Sequence, residues 1–111
     1  MKEKYIVKKD ERVVVCVLYN CLYDPQFAFE KHAGGYILPH SYPKFSIKEK
    51  YKGVAKCAPD DEWDEAIGKR IAYERAFREY KRDFNCAFER CVRCVESCLS
   101  NAKNWHARHY G

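Results

Sequence analysis

From Asp61 to about His109 the chain carries a single helix breaker, Gly68, and no proline. Apolar residues recur along this stretch at Phe77, Tyr80, Phe84, Ala87, Cys91, Cys94 and Cys98, with Trp105 following after Asn101. The alternating three- and four-residue steps are a heptad seam, the pattern of one helix face turned toward a partner surface. A second stripe, Phe88, Val92, Val95, Leu99 and Ala102, adjoins it. Opposite charges stand four apart on the outer faces, among them Glu65–Lys69, Arg70–Glu74 and Glu89–Arg93, a spacing that supports helix. The expectation is a helix over 60–109. At 1.5 Å per residue some 45 helical residues extend ~68 Å, against a radius of gyration of ~13 Å for a compact domain of this size. Such a helix either breaks, the predicted place being Ser100–Asn104, or lies against a second copy. The broad seam favours a homodimer through Phe77, Tyr80, Phe84, Cys91, Cys94, Cys98 and Trp105.

The first half reads differently. EKYIVK (residues 3–8) and RVVVCVLY (12–19) are rich in β-branched and aromatic residues, and the polar link Lys9-Asp10-Glu11 fits a hairpin. In the second of these strands both alternating sets are apolar, so it is buried on both faces, or buried on one and covered by a loop on the other. Residues 20–44 hold Gly34-Gly35, Pro25, Pro39 and Pro43 and read as an irregular loop, with a short strand at Tyr36–Leu38. Phe27, Phe29, Tyr36 and Tyr42 are its aromatic anchors and candidate contacts for a protein partner. Residues 45–57 resume a period of two, with Lys44, Lys48, Lys50, Lys52 and Lys56 all on one side. Five lysines on one strand face meet water or something negative. Pro59 ends that strand, and Asp60 or Asp61 is the expected helix cap. The fold class is therefore α+β: one domain over 1–111, a small antiparallel sheet of three to four strands, then the long C-terminal helix.

The net charge of +5 is segregated. Residues 1–57 are basic, Asp60–Glu65 packs five acids into six positions, and residues 66–111 are basic again. A uniformly anionic surface is excluded, and a phosphate-binding one is allowed. No apolar run approaches the ~20 residues of a membrane span. MKEKYIVKKDER lacks the apolar core of a signal peptide, so a cytoplasmic protein with reduced thiols is expected. Cys91, Cys94 and Cys98 with His106 and His109 lie along one helix, where at most two or three ligands reach one ion. Cysteine packing in the seam explains them, and no metal or cofactor is expected. Cys57 precedes a helix start, but the neighbouring carboxylates oppose a thiolate there. Gly34-Gly35 lacks the context of a nucleotide cradle. No catalytic residues emerge, and the chain is not expected to be an enzyme.

The segment Gly53 to Ala76 fits G-x-A-x-C-x-P-x-D-x-(Phe/Trp)-D-x-x-x-G-x-x-(Ile/Leu)-A-x-x-R-A through Gly53, Ala55, Cys57, Pro59, Asp61, Trp63, Asp64, Gly68, Ile71, Ala72, Arg75 and Ala76. It resembles a strand–turn–helix unit of small, uncharacterised phage and prophage proteins of Gram-positive bacteria. Those proteins often carry a capping Ser before the proline, where this chain has Ala58. The resemblance covers about 25 residues and implies a setting in a bacterial host. The expectation it motivates is an accessory protein that binds and inhibits a host protein or ribonucleoprotein, such as a CRISPR effector. The alternative is a nucleic-acid-binding regulator that uses the lysine-faced strand (Lys48, Lys50, Lys52, Lys56).

Overall fold

The computed structural model describes residues 1–21, 25–34 and 47–111. In chain order these form β1 (Lys2–Lys8), β2 (Val13–Tyr19), α1 (Pro25–His32), β3 (Tyr51–Lys56) and α2 (Glu65–Tyr110). The fold is α+β, with a three-stranded antiparallel sheet in the order β1-β2-β3 and one long C-terminal helix. Two compact units share α2. The first combines Met1–Tyr23 with Ile47–Asp83, the second Asp24–Ser46 with Phe84–Gly111.

In the first unit, the turn between β1 and β2 closes through Glu11 N–H on the Lys8 carbonyl (3.2 Å) and Arg12 N–H on the Lys9 carbonyl (3.0 Å). Arg12 turns the chain with a positive φ of 55°. β2 is central, which is why it is apolar at every position. One face of the sheet carries Val14, Cys16 and Leu18 from β2 with Tyr51 and Ala55 from β3, all buried against Ala72 and Ala76 of α2. Tyr5, Val7, Ile71, Phe77 and Tyr80 close the rim of this core. Small residues make the close approach of helix and sheet possible. A Cβ at Gly53 would collide with the Ala72 carbonyl oxygen and lie 2.6 Å from the Ala76 nitrogen.

α2 starts at Glu65 and not at residue 60 or 61. Asp64 Oδ1 accepts the Ile67 N–H at 3.2 Å, so Asp64 is the cap. The helix runs unbroken through Ser100–Asn104 to Tyr110. Ser and Asn weaken a helix by only tenths of a kcal/mol each, and no glycine or proline stops it. The predicted pairs Glu65–Lys69 (3.7 Å) and Glu89–Arg93 (3.9 Å) both close.

In the second unit, the expected irregular loop 20–44 contains helix α1 instead. Pro25 occupies its first position, where the missing N–H costs nothing. Phe29 packs edge-on against Phe88 (5.7 Å, 72°) and with Cys91, Val92, Cys94 and Val95 forms a small apolar cluster. The strand expected at Tyr36–Leu38 lies outside the described residues. β3 begins at Tyr51, so Lys48 and Lys50 precede it.

Candidate nucleic-acid interface

The helix covers one face of the sheet. The strand registers define the other. Lys8, Val13 and Lys56 stand side by side across the three strands, then Ile6, Val15 and Val54, then Lys4, Val17 and Lys52. Lys2 pairs with Tyr19 at the end of the hairpin. Lys50, just before β3, joins Lys4, Ile6, Val17 and Tyr19 in lining a shallow depression there.

The outcome is two rails of lysine, Lys2, Lys4 and Lys8 on β1 and Lys50, Lys52 and Lys56 along β3. Between them lies an apolar floor of exposed Ile6, half-buried Val13, Val17 and Val54, and buried Val15 (9% exposed), with half-buried Tyr19 at one end. All six lysines are exposed. None of the outward positions of the three strands is acidic. Glu3 has the opposite parity, opposite Leu18. Glu11, in the hairpin turn, reaches one rail, its carboxylate 4.0 Å from Lys8 Nζ. With neighbouring strands ~4.8 Å apart, the rails are ~10 Å apart, and lysines two residues apart on a strand are ~6.7 Å apart.

Of the sequence-nominated lysines, Lys52 and Lys56 lie on this face and Lys50 at its margin. Lys48 does not join them: its backbone N–H donates to the Tyr51 hydroxyl (3.1 Å), whose ring lies in the core. The β1 rail does not follow from the sequence pattern alone, although the alternation Lys2, Lys4, Ile6, Lys8 is visible in it. Its meaning depends on pairing β1 with β2, which no single segment displays.

Among the aromatic anchors, Phe27 is exposed on α1 whereas Phe29 is buried in the second unit's own cluster. Tyr36 and Tyr42 lie outside the described residues. The seam residues also divide. Phe77 and Tyr80 pack on the sheet core, Cys91 and Cys94 pack with Phe29, and Phe84 stacks on Phe88 (6.3 Å, 16°). Cys98 is half-buried, and Trp105 is exposed with its ring stacked on His109 (5.2 Å).

All seven cysteines are free thiols. Among the described residues no three metal-ligating side chains converge, and no helix is long and apolar enough to cross a membrane. Cys57 has a neighbour that its sequence context conceals. Arg12 Nη2 lies 3.1 Å from its sulfur and also donates to the carbonyls of Ala58 (3.0 Å) and Asp61. The guanidinium thereby pins the acidic turn to the end of the sheet, beside a cleft of about 340 Å³ walled by Val14, Trp63, Ile67 and Ile71.

Burial raises the Cys16 and Cys21 thiols above their ordinary range. Burial, then the hydrogen bond to Asp83, pushes the Tyr51 phenol up to about 12. Burial and the neighbouring Cys16 do the same for Tyr5, also to about 12.

No family model, curated protein or solved structure matches the chain.

Proposed function

We propose that the chain is a non-enzymatic nucleic-acid-binding protein whose contact surface is the face of the sheet opposite α2, where six lysines are exposed. The observation that carries this reading is the pair of lysine–valine–lysine rungs, Lys8–Val13–Lys56 and Lys4–Val17–Lys52. A solvated face has no need to hold every charge of one sign at its margins and apolar groups between them. Phosphates fit the rails, and the apolar floor with Tyr19 accepts the faces of unpaired bases. A trough ~10 Å wide suits a single strand. Titration of labelled single-stranded and duplex oligonucleotides across salt tests it. Single strands should bind more tightly, with log K falling by ~0.7 per phosphate contact for each tenfold rise in salt. Binding that ignores salt, or survives Lys4→Glu with Lys52→Glu, would defeat the proposal.

A second reading is inhibition of a bacterial defence component, such as a CRISPR effector, in the cytoplasm of a bacterial host. It is supported by the resemblance of residues 53–76 to phage proteins. Most of the positions that define that motif already have work within the first unit. Gly53, Ala72 and Ala76 let the helix approach, Asp64 caps it, and Arg75 donates to the Val54 carbonyl. The motif thus supports a shared strand–turn–helix unit, and a partner would meet the faces outside it. A cleavage assay with purified defence nucleases separates the readings, since a nucleic-acid binder blocks cleavage only at concentrations that coat the substrate. A homodimer through the α2 seam, of which Trp105 is the exposed member, remains part of the proposal, and light scattering tests it.

A further inference from the structure

The rail along β3 does not end at the sheet. Lys52 also lines an open groove of about 430 Å³ between the free edge of β3 and α2, together with Arg75, Arg78, Arg82 and Glu79. Four cations thus face one carboxylate. The three arginines fall at i, i+3 and i+7, one face of the helix. They span ~10 Å at 1.5 Å per residue.

Two local features build the groove. Gly53, lacking a side chain, lets the α2 backbone lie against β3. Arg75 then reaches the strand edge, where its Nη1 donates to the Val54 carbonyl at 2.6 Å. That bond covers an edge oxygen which would otherwise repel an anion, and it leaves the guanidinium further N–H donors. Arg82 is partly neutralised, its Nε lying 3.6 Å from Asp83 Oδ1. The anion-binding weight therefore falls on Lys52, Arg75 and Arg78. A charged side chain at a strand edge often serves only to block unwanted pairing. Arg75 alone would suffice for that. Arg78 and Arg82, one and two turns along the helix, add nothing to edge protection.

We infer that this groove is a second phosphate site, joined to the sheet face through Lys52, which takes the backbone of a nucleic acid as it leaves the sheet over the β3 edge. The inference rests on the nucleic-acid reading above and extends its path. Arginine suits the role because its planar fork matches a phosphate with two parallel hydrogen bonds.

The test uses the full chain and fluorescein-labelled single-stranded DNA of 6 and 16 nucleotides, with circular dichroism to verify folding of each variant. For the wild type the longer probe should bind more tightly and with a steeper salt dependence. Arg78→Ala should reduce that gain and make the salt slope shallower by ~0.7, for one phosphate, which is ~5-fold weaker binding at 100 mM salt. The charge-preserving Arg78→Lys should restore the slope. An unchanged slope in the alanine variant, with binding still lost on Lys4→Glu, overturns the groove and leaves the sheet reading standing. Failure of the wild type to bind either probe overturns both.

Discussion

Gly53 of β3 and Ala72 of α2 meet backbone to backbone, with no room for a single methyl group between them. Gly53→Ala must push the strand and helix apart, because a carbonyl oxygen cannot rotate out of the way. The expected cost is about 1–3 kcal/mol, seen as a lower midpoint in thermal or urea unfolding. Gly68→Ala is the informative contrast. Its Cβ would lie 2.8 Å from Cγ2 of buried Val14, so that β-branched side chain must shift, but no backbone atom stands in the way. Removing a helix glycine recovers up to ~1 kcal/mol, so the net change should stay within about 1 kcal/mol.

Lys48→Glu and Lys52→Glu separate the lysine pattern of the sequence from the lysine pattern of the fold. Both change charge equally, but only Lys52 belongs to a rung and to the arginine-lined groove. Lys52→Glu should weaken oligonucleotide binding about tenfold and reduce the salt slope by about one contact. Lys48→Glu should cost less than about threefold, the long-range share of the charge. Equal losses from the two would mean that net charge, and not the face, drives binding.

Phe29→Ala should act on stability and not on a partner. The ring is buried against Phe88 and the Cys91 cluster, so its removal should cost about 3 kcal/mol. Amide exchange should quicken through residues 84–95, while residues 13–19 keep their protection. Phe27→Ala, at a ring 56% exposed, should leave exchange unchanged.

Tyr51 donates to Asp83 Oδ2 at 2.9 Å while accepting the Lys48 N–H. Tyr51→Phe deprives both partners and should cost about 1–2 kcal/mol at neutral pH. The phenols of Tyr51 and Tyr5 titrate near 12 when folded, against 10.0 ordinarily. Between those values the folded chain keeps protons that the unfolded chain releases. Their stabilising contribution is therefore full below pH 10 and is lost as pH rises toward 12. Denaturation midpoints should fall across that window, and less steeply in the Phe variant.

The thiols should react in an order set by burial. Cys86 is exposed, Cys57, Cys94 and Cys98 are intermediate, and Cys16, Cys21 and Cys91 are buried. Raised thiol pKa values slow Cys16 and Cys21 further. Timed alkylation with peptide mass spectrometry should label Cys86 first and these three last. Early labelling of Cys16 would mean that the sheet opens under native conditions.

Periodicity made α2 and the strands legible, because each element writes its own repeat into consecutive residues. α1 was not legible: eight residues with prolines and glycines around them carry too few turns for a period to register. Phe29 therefore looked like a loop anchor. The heptad seam was real as a stripe but silent on its occupant. Phe77 and Tyr80 face this chain's own sheet, a fact set by contacts distant in sequence. The candidate face was half legible for the same reason. Lys52 and Lys56 alternate within one strand, but the opposing rail at Lys2, Lys4 and Lys8 comes from pairing two strands through β2.

The register Lys4↔Val17 has a consequence for how this protein can change over generations. Odd and even positions of the same strands answer to different demands, packing against α2 on one side and, on the reading proposed above, nucleic acid on the other. Substitutions at Lys2, Lys4, Lys8, Lys52 or Lys56 change the charge of the outer face while leaving the core untouched. A one-residue insertion in the β1–β2 turn could do the reverse, rotating Glu3, Tyr5 and Val7 outward and driving lysines toward the helix. Such chains should tolerate point changes on the outer face freely and length changes in that turn hardly at all.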